Sequence, residues 1–88
     1  MSYKITFAPS ASREFKKLTK ELQLRLRPAI DALAVEPRPN GATKLAGQTD
    51  LYRIREGDYR IVYTVQDAVL VVVVVAIGDR KEIYRHFR

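Results

Sequence analysis

The chain has 88 residues, a length typical of one domain, and we expect residues 1–88 to form a single domain. It contains no cysteine and one histidine, which excludes disulfides, a cysteine-bound metal and a histidine pair acting as metal ligands or as an acid–base couple. Sixteen Lys and Arg residues against ten Asp and Glu residues give a net charge of +6, which suits a polyanionic partner such as nucleic acid, the ribosome or an acidic protein.

The hydropathy pattern contains no segment suited to a membrane or to export. The longest apolar run, Ala68–Ile77, has ten residues. That is about half the length that a membrane-spanning helix needs. Met1–Ala8 is too short for a signal peptide and alternates polar with apolar residues. We therefore expect a cytoplasmic protein with no membrane partner, and nothing in the composition calls for a metal or another cofactor.

The N-terminal quarter of the chain predicts a strand followed by a helix. Apolar and polar residues alternate over Tyr3–Phe7, which is the period of a half-buried strand. Pro9 ends that strand, and Ser10 or Ser12 is predicted to cap the following helix. The buried side of this helix is marked by apolar residues at spacings of three and four: Ala11, Phe15, Leu18 and Leu22.

A second helix is predicted to begin after Thr19, whose side chain is a suitable N-cap. Its apolar positions are Leu22, Leu26, Ala29, Ile30 and Leu33. Pro28 lies inside this pattern, where it removes a backbone donor and crowds the carbonyl group of Leu24. The sequence therefore predicts either a kink or a late start of the helix at this proline.

The second half of the chain predicts three successive strands. After Glu36–Gly41, which has the composition of a loop, Leu51–Arg55 and Tyr59–Val65 are predicted to be strands joined by a tight turn. Val69–Ile77 has six valines and no polar residue, which is typical of a central strand buried on both faces. The tail Arg80–Arg88 is predicted to be either a helix or an irregular arm.

Together these elements predict an α+β fold. We expect the N-terminal strand and the helical hairpin to pack on one face of a largely antiparallel four-stranded sheet, with a short basic tail at the C-terminus. The sequence contains no internal repeat and no low-complexity segment that would suggest another architecture.

Three arginines are predicted to share one face of this sheet. Arg53 and Arg55 alternate with apolar residues along one strand, and Arg60 alternates in the same way along the next. The intervening tyrosines are predicted to face the core: Tyr52, Tyr59 and Tyr63. Like charges on facing strands repel each other, so a bound phosphate would explain why they are collected. The alternative is a solvated face on which the arginines pair with Glu56 or Asp58, and the residues alone leave both interpretations open.

Two residues of the tail are candidates for the same site. Arg80 follows the central strand directly, where a strand meander can bring it beside Arg60. Tyr84 offers a phenol and a ring on which a base can stack; the alternative is an aromatic residue that simply covers the sheet. His86, a lone histidine near the C-terminus, is expected to be solvated.

Four segments with distinctive residues follow one another along the chain: Leu45-Ala46-Gly47, Leu51-Tyr52-Arg53-Ile54-Arg55, Gly57-Asp58-Tyr59-Arg60-Ile61-Val62-Tyr63 and Arg80-Lys81-Glu82-Ile83-Tyr84-Arg85. Together with the opening strand, the helical hairpin and the Pro37-Arg38-Pro39 loop, they resemble the RelE/ParE toxin family over nearly the whole length. The resemblance implies the toxin of a type II toxin–antitoxin pair, which a cognate antitoxin neutralises. RelE members of this family cleave mRNA in the ribosomal A site, whereas ParE relatives poison DNA gyrase.

The RelE branch keeps basic residues on the sheet and an Arg-x-x-x-Tyr tail, so the resemblance favours that branch. The matching positions, which are thereby implied to be catalytic, are Arg53, Arg55, Arg60, Arg80 and Tyr84. The implied activity is a ribosome-dependent endoribonuclease that lets the 2′-hydroxyl attack the adjacent phosphate. Well-studied RelE members have lysines at positions 53 and 55, and many relatives have a histidine where this chain has Asp79. Because arginine stays protonated, the general acid and base are left unassigned.

Basic residues outside this set are implied to contact ribosomal RNA: Arg13, Lys16, Lys17, Lys20, Lys44, Lys81 and Arg85. Two other functions remain open. One is a ParE-like inhibitor of DNA gyrase, which acts by binding and needs no catalytic arginine. The other is a non-catalytic partner that only binds the antitoxin. Whichever function applies, the toxin–antitoxin complex is expected to bind operator DNA through the antitoxin.

Overall fold

The computed structural model describes residues 2–45 and 51–79 of the chain. In chain order these form β1 (Lys4–Phe7), α1 (Pro9–Lys17), α2 (Lys20–Ala32), β2 (Thr43–Lys44), β3 (Leu51–Glu56), β4 (Tyr59–Gln66) and β5 (Val71–Asp79). The strands lie in a five-stranded sheet in the order β1-β5-β4-β3-β2. Neither α1 nor α2 is long and apolar enough to cross a membrane.

The sheet is antiparallel except at one edge. β1 runs parallel to β5, with Lys4 opposite Val71, whereas the pairs β5–β4, β4–β3 and β3–β2 are antiparallel. The predicted α+β fold with a largely antiparallel sheet is therefore confirmed, but the predicted count of four strands is wrong. The additional strand is β2, which pairs with Tyr52 and Arg53. Its two residues are too few to show the alternation that marks a strand in the sequence.

The valine-rich strand β5 has a partner on each side, as predicted for a central strand, but its boundaries differ from Val69–Ile77. Val69 and Leu70 belong instead to the turn between β4 and β5, in which Leu70 has a φ of 56°. Because a left-handed backbone cannot continue a strand, pairing starts at Val71. On the helix side Val72 and Val74 are fully buried, whereas on the other side Val71 and Val73 are half-buried and Ala76 is buried, so the predicted burial on both faces is only partly correct.

The helix α1 begins at Pro9, with Ala8 as its N-cap residue and no side chain as a cap. The prediction that Ser10 or Ser12 caps this helix is therefore wrong. Proline suits the first helical position because its ring fixes φ near the helical value, and because an N–H group there would have no partner within the helix.

Thr19 caps α2 as predicted, since its Oγ1 accepts a hydrogen bond from the backbone N–H of Leu22 at 3.2 Å. Pro28 lies inside α2, so the alternative of a late helix start is wrong. The carbonyl group of Leu24 loses its helical donor to this proline. Both residues are exposed, Leu24 by 67%, so water can satisfy that carbonyl group instead.

The core lies between the helices and one face of the sheet. Its helix-side members are Ala11, Leu26, Ile30 and Leu33, and its strand members are Ile54, Ile61, Tyr63, Val65, Val72, Val74 and Ile77. Tyr52 and Tyr59 pack against this core, as predicted for the tyrosines. A smaller cluster on the other face is built on Val62 and Ala76 and includes no residue of α1 or α2. Among the described residues, neither helix therefore packs on that second face.

We expect Gly57→Ala to destabilise the protein. Gly57 has a φ of +61°. This left-handed conformation costs an L-residue about 1–2 kcal/mol. The new Cβ would also lie 2.9 Å from Nη2 of Arg25, which would have to move. Urea unfolding measures the change in the free energy of unfolding.

Gly41→Ala is the matched control for this substitution. No atom lies within 4 Å of a Cβ placed on Gly41, and its φ is outside the left-handed region. Replacing such a glycine should leave stability unchanged or raise it by up to about 1 kcal/mol. Equal losses of stability in the two variants would contradict the strain assigned to Gly57.

Candidate functional site

One face of the sheet carries three arginines on neighbouring strands. Arg55 on β3 lies directly opposite Arg60 on β4, and Arg53 lies opposite Val62. Residues paired across antiparallel strands project to the same side of a sheet, and here that is the side away from α1 and α2. We call the surface defined by Arg53, Arg55 and Arg60 the arginine face. The structure thus brings together these three predicted site residues.

Arg60 is the most buried member of the arginine face. It is 6% exposed and is the one buried charged residue among those that the structure describes. Its Nε is buried and has no hydrogen-bond partner in the described part of the chain. An unsatisfied buried donor costs roughly 1–3 kcal/mol, and more when the group is charged. The exposed Arg55 on the facing strand adds a like charge. A bound anion would offset both unfavourable contributions.

The strand next to Arg60 contributes little side-chain bulk. Arg60 pairs with Gly78 on β5, and Val62 pairs with Ala76. A register shift between Val62 and Tyr63 leaves Val75 as an extra residue in β5, which is the pattern of a β-bulge. Because the bulge resets the alternation of β5, its residues beside the arginines are glycine and alanine. A ligand can therefore approach the arginine face closely from this side.

A second polar cluster lies near the start of β3, where it contacts Tyr52. It is centred on Arg38, in the loop after α2. The Arg38 guanidinium donates two hydrogen bonds to Asp67, from Nη2 to Oδ2 at 2.7 Å and from Nη1 to Oδ1 at 3.2 Å. Its Nε donates to the hydroxyl of Tyr52 at 3.1 Å, and its Cζ lies 5.3 Å from the centroid of that ring. The hydroxyl of Tyr3 donates to Oδ1 of Asp67 at 2.7 Å. We call these four residues the Arg38 cluster.

These contacts displace the pKa values of the groups involved. Hydrogen bonds from Arg38 and Tyr3 hold the pKa of Asp67 at about 2, below its usual range. The pKa values of Tyr3 and Arg38 are raised, because each donates a hydrogen bond to this carboxylate. Burial is the main cause that raises the pKa of Tyr63 to about 12. The hydroxyl of Tyr63 donates to the carbonyl oxygen of Pro37 at 2.7 Å, which attaches the same loop to β4.

Sequence patterns did not predict the Arg38 cluster. Arg38 lies 14 residues from Tyr52 and 29 residues from Asp67, separations that no helix or strand period relates. The one available signal is the placement of Arg38 between Pro37 and Pro39, which indicates a stiff loop. That signal names no partner for the guanidinium.

The basic residues predicted to bind RNA lie elsewhere on the molecule. Those on the helices are all exposed: Arg13, Lys16, Lys17 and Lys20. Because α1 and α2 pack on the core side of the sheet, these cations lie on the opposite side of the molecule from the arginine face. Lys44 is exposed too, but it pairs with Tyr52, which places it on the helix side of the sheet. The other predicted site residues lie outside the described residues: Arg80, Lys81, Tyr84 and Arg85.

Comparison with known proteins places this chain in a family. Residues 5–84 match the family model of the ParE toxin of the type II toxin–antitoxin system parDE. The chain is also 35% identical over 88 residues to the mRNA interferase toxin RelE of Escherichia coli (strain K12), across 96% of this chain and 92% of that protein. The chain belongs to the RelE/ParE family of type II toxins. The family resemblance seen in the sequence motifs is thereby confirmed.

Solved RelE structures have the same fold as this RelE/ParE toxin. The isolated RelE toxin of Escherichia coli superposes with a TM-score of 0.80 at 31% identity, across 97% of this chain and 94% of that chain. RelE from the archaeal RelE–RelB complex of Pyrococcus horikoshii OT3 gives a TM-score of 0.79 at 30% identity, across 93% of this chain and 99% of that chain. The arginine face of this RelE/ParE toxin is therefore built on the sheet of a RelE fold.

We expect Asp67→Asn to lower the stability of this RelE/ParE toxin only slightly at neutral pH, because the Arg38–Asp67 pair is about half-exposed, and to matter less in acid. The pKa of Asp67 is lowered to about 2 in the folded protein. An unfolded chain protonates aspartate at about pH 3.9, so the carboxylate stabilises the fold fully above about pH 5 and loses this contribution as the pH falls through about 2. Urea unfolding at several pH values should therefore show a steeper acid loss for the parent than for the variant. A constant difference between the two proteins over this range would refute the assignment.

Proposed function

We propose that this chain is a ribosome-dependent mRNA endoribonuclease that inhibits translation by cleaving mRNA in the ribosomal A site. The observation that carries the proposal is the arginine face, on which the buried Arg60 has an unpaired Nε and lies opposite Arg55. Clustered guanidinium groups suit a phosphodiester, because they pair with phosphate oxygens in a two-pronged geometry. The name of the Escherichia coli relative, an mRNA interferase toxin, supports the same activity.

In the proposed reaction, the 2′-hydroxyl oxygen of the mRNA attacks the adjacent phosphorus while the bond from phosphorus to the 5′-oxygen breaks. The 2′-hydroxyl loses its proton and the 5′-oxygen gains one, which leaves a 2′,3′-cyclic phosphate and a 5′-hydroxyl end. Negative charge builds up on the phosphorane oxygens in the transition state, and cations already in place stabilise it. Arg53, Arg55 and Arg60 supply that charge, and Arg80 is proposed to join them.

Proton transfer in this reaction needs a group other than the arginines. Arginine stays protonated at ordinary pH and is therefore a poor proton carrier. We assign this role, or stacking on an mRNA base, to Tyr84, because a phenol offers both a titratable oxygen and an aromatic face. The assignment of Tyr84 rests on the Arg-x-x-x-Tyr motif of the tail.

The ribosome is proposed to bind the cations of the helices and to present the mRNA to the arginine face. The docking set on the helices consists of Arg13, Lys16, Lys17 and Lys20, all of them exposed. Contacts with phosphates of ribosomal RNA need charge and little base recognition. Lys44, Lys81 and Arg85 complete the proposed set. Because the ribosome holds the mRNA in the reactive geometry, free RNA should be cleaved slowly.

A cognate antitoxin is the proposed protein partner of this chain. Relatives with this fold have been solved in complex with the RelB antitoxin, from Pyrococcus horikoshii OT3 and from Escherichia coli. A cationic surface favours an acidic or amphipathic segment that covers it, so we place the antitoxin segment on the arginine face. Binding of operator DNA by the complex is assigned to the antitoxin.

Arg60→Ala should reduce cleavage of ribosome-bound mRNA by about 10²–10³-fold, the usual effect of losing one donor that stabilises transition-state charge. Binding to the ribosome should change little, since the proposed docking cations lie on the helices. Arg60→Lys should restore only part of the rate, because an ammonium group cannot form the two-pronged contact. Primer extension on a translated message measures cleavage, and cosedimentation with ribosomes measures binding.

Arg27→Ala is the matched control for Arg60→Ala. Arg27 is an exposed arginine on α2 that belongs to neither proposed site, so its loss should leave the cleavage rate unchanged. Circular dichroism establishes that each variant is folded. A folded, ribosome-bound Arg60→Ala protein that cuts at the parent rate would overturn the catalytic assignment.

Lys16→Gln combined with Lys17→Gln should weaken ribosome binding while leaving the cleavage rate at saturating ribosomes unchanged. Each ribosomal phosphate that is no longer neutralised by a lysine should lower the slope of log affinity against log salt by roughly one unit, so the slope should fall by about two units in the double variant. Lys4→Gln, at an exposed lysine on β1 outside the docking set, is the control. The docking assignment is wrong if the double variant keeps the parent affinity at every salt concentration.

Inhibition of DNA gyrase is the second candidate function, because the family model that matches residues 5–84 carries the ParE name. A gyrase inhibitor acts by binding and would not need Arg60 as a charge donor. A supercoiling assay with purified gyrase, run beside primer extension, separates the two candidates. Inhibited supercoiling without mRNA cleavage would favour gyrase, and neither activity would favour a partner that only binds the antitoxin.

A further inference from the structure

The strand β3 carries two of the three residues of the arginine face but is held unevenly at its two edges. Its inner edge pairs with β4 along its full length. Among the described residues, its outer edge pairs with β2 at Tyr52 and Arg53, and the carbonyl oxygen of Leu51 accepts a hydrogen bond from the backbone N–H of Leu45 at 3.0 Å. Farther along, a groove of about 410 Å³ borders Ile54 and Arg55. The outer side of β3 therefore has its support near Tyr52.

Tyr52 is fixed from two directions. Its ring stacks on the ring of Tyr63, with centroids 5.9 Å apart and an interplanar angle of 24°. Its hydroxyl accepts a hydrogen bond from Nε of Arg38, whose guanidinium also lies 5.3 Å from the ring centroid. Since Tyr52 immediately precedes Arg53, the position of this ring constrains the backbone of β3 where the arginine face begins.

Arg38 is itself anchored to the hairpin that carries Arg60. Its two hydrogen bonds to Asp67 reach the turn between β4 and β5, and Tyr3 donates a further bond to the same carboxylate. The Arg38 cluster therefore connects β3 to the β4–β5 hairpin by side chains, in addition to the backbone pairing of β3 with β4.

We propose that Arg38 is a positioning residue: acting through Tyr52, it holds β3 so that Arg53 and Arg55 stay aligned with Arg60 on β4. The effect on cleavage rests on the proposed endoribonuclease activity, whereas the effect on β3 does not. Alignment matters because cations stabilise a transition state only when they are already placed around it.

Two observations distinguish the positioning role of Arg38 from direct catalysis and from a contribution to global stability. Tyr52 faces the core side of the sheet, so Arg38 contacts β3 on the side away from the arginine face. The Arg38–Asp67 ion pair is also about half-exposed, with side-chain exposures of 41% and 56%. Exposed pairs of this kind contribute little to global stability. Loss of Arg38 should therefore loosen β3 without unfolding the protein.

The first experiment compares Arg38→Met with Arg27→Met by amide hydrogen exchange. Arg27 makes the same kinds of contact as Arg38, with an aspartate, Asp31, at 3.0 Å and an aromatic ring, Phe7, at 5.7 Å, but far from β3. Arg38→Met should speed exchange of the protected β3 amides roughly tenfold through local opening, while the pairing of β1 with β5 keeps its protection. Arg27→Met should leave β3 unchanged. Asp67→Asn is a second variant that releases Arg38 and should behave like Arg38→Met.

The second experiment measures cleavage of ribosome-bound mRNA. Arg38→Met should lower kcat about tenfold and leave ribosome affinity unchanged, the result expected for misplaced charge donors. A double-mutant cycle tests the route of this effect. Combined with Arg53→Ala, Arg38→Met should lower kcat by a smaller factor than it does alone, because one of the two residues that it positions is already gone. Combined with Lys16→Gln and Lys17→Gln, its effect on kcat should be undiminished.

Two results would overturn the proposal. One is unchanged exchange of the β3 amides in both Arg38→Met and Asp67→Asn. The other is a cycle in which the effects of Arg38→Met and Arg53→Ala on kcat simply multiply. If the parent protein itself cleaves no ribosome-bound mRNA, the proposed function fails instead, and hydrogen exchange alone then decides whether Arg38 positions β3.

Discussion

The pairing of β5 with a strand on each side is the constraint on which the rest of this structure depends. β1 runs parallel to β5 on one side, and β4 runs antiparallel to it on the other. The pairing joins Lys4 to Val71, so distant parts of the chain must meet before the core can close. Since α1 and α2 lie between these strands in the sequence, the pairing places both helices over one face of the sheet. The arginine face is the opposite side.

This arrangement separates the two kinds of positive charge in the molecule. The cations on α1 and at the start of α2 are exposed on the helix layer, whereas Arg53, Arg55 and Arg60 lie across the sheet from them. Under the proposed function, docking and chemistry therefore use different surfaces, and a substitution in one should leave the other intact. The core between the two surfaces is apolar and densely buried, which keeps their relative position fixed.

The arginine face contains contacts that are unfavourable for stability and that the proposed function explains. Arg60 is buried with an unpaired Nε, and it faces Arg55 across the strand pair. Folded proteins keep such unfavourable contacts mainly where a ligand offsets them. The Arg38 cluster has the complementary arrangement, because each of its charged groups is paired and its contacts lie at the supported end of β3. One end of the strand is thus fixed while the other presents clustered positive charge.

Local periods in the sequence were sufficient to predict which residues share a face and where one helix begins. Alternation assigned Arg53, Arg55 and Arg60 to one side of the sheet, because the side chains of a strand repeat every two residues. Thr19 was predictable as a helix cap because its hydrogen-bond partner lies three residues away. The parallel pairing of β1 with β5, the short strand β2 and the Arg38–Asp67 contact join residues far apart in the chain. No local pattern specifies such partners. By itself the sequence determined the family and which residues share a face of a helix or strand. Only the tertiary structure decided which helices and strands pack together, because their pairing depends on closing one core around all of the elements.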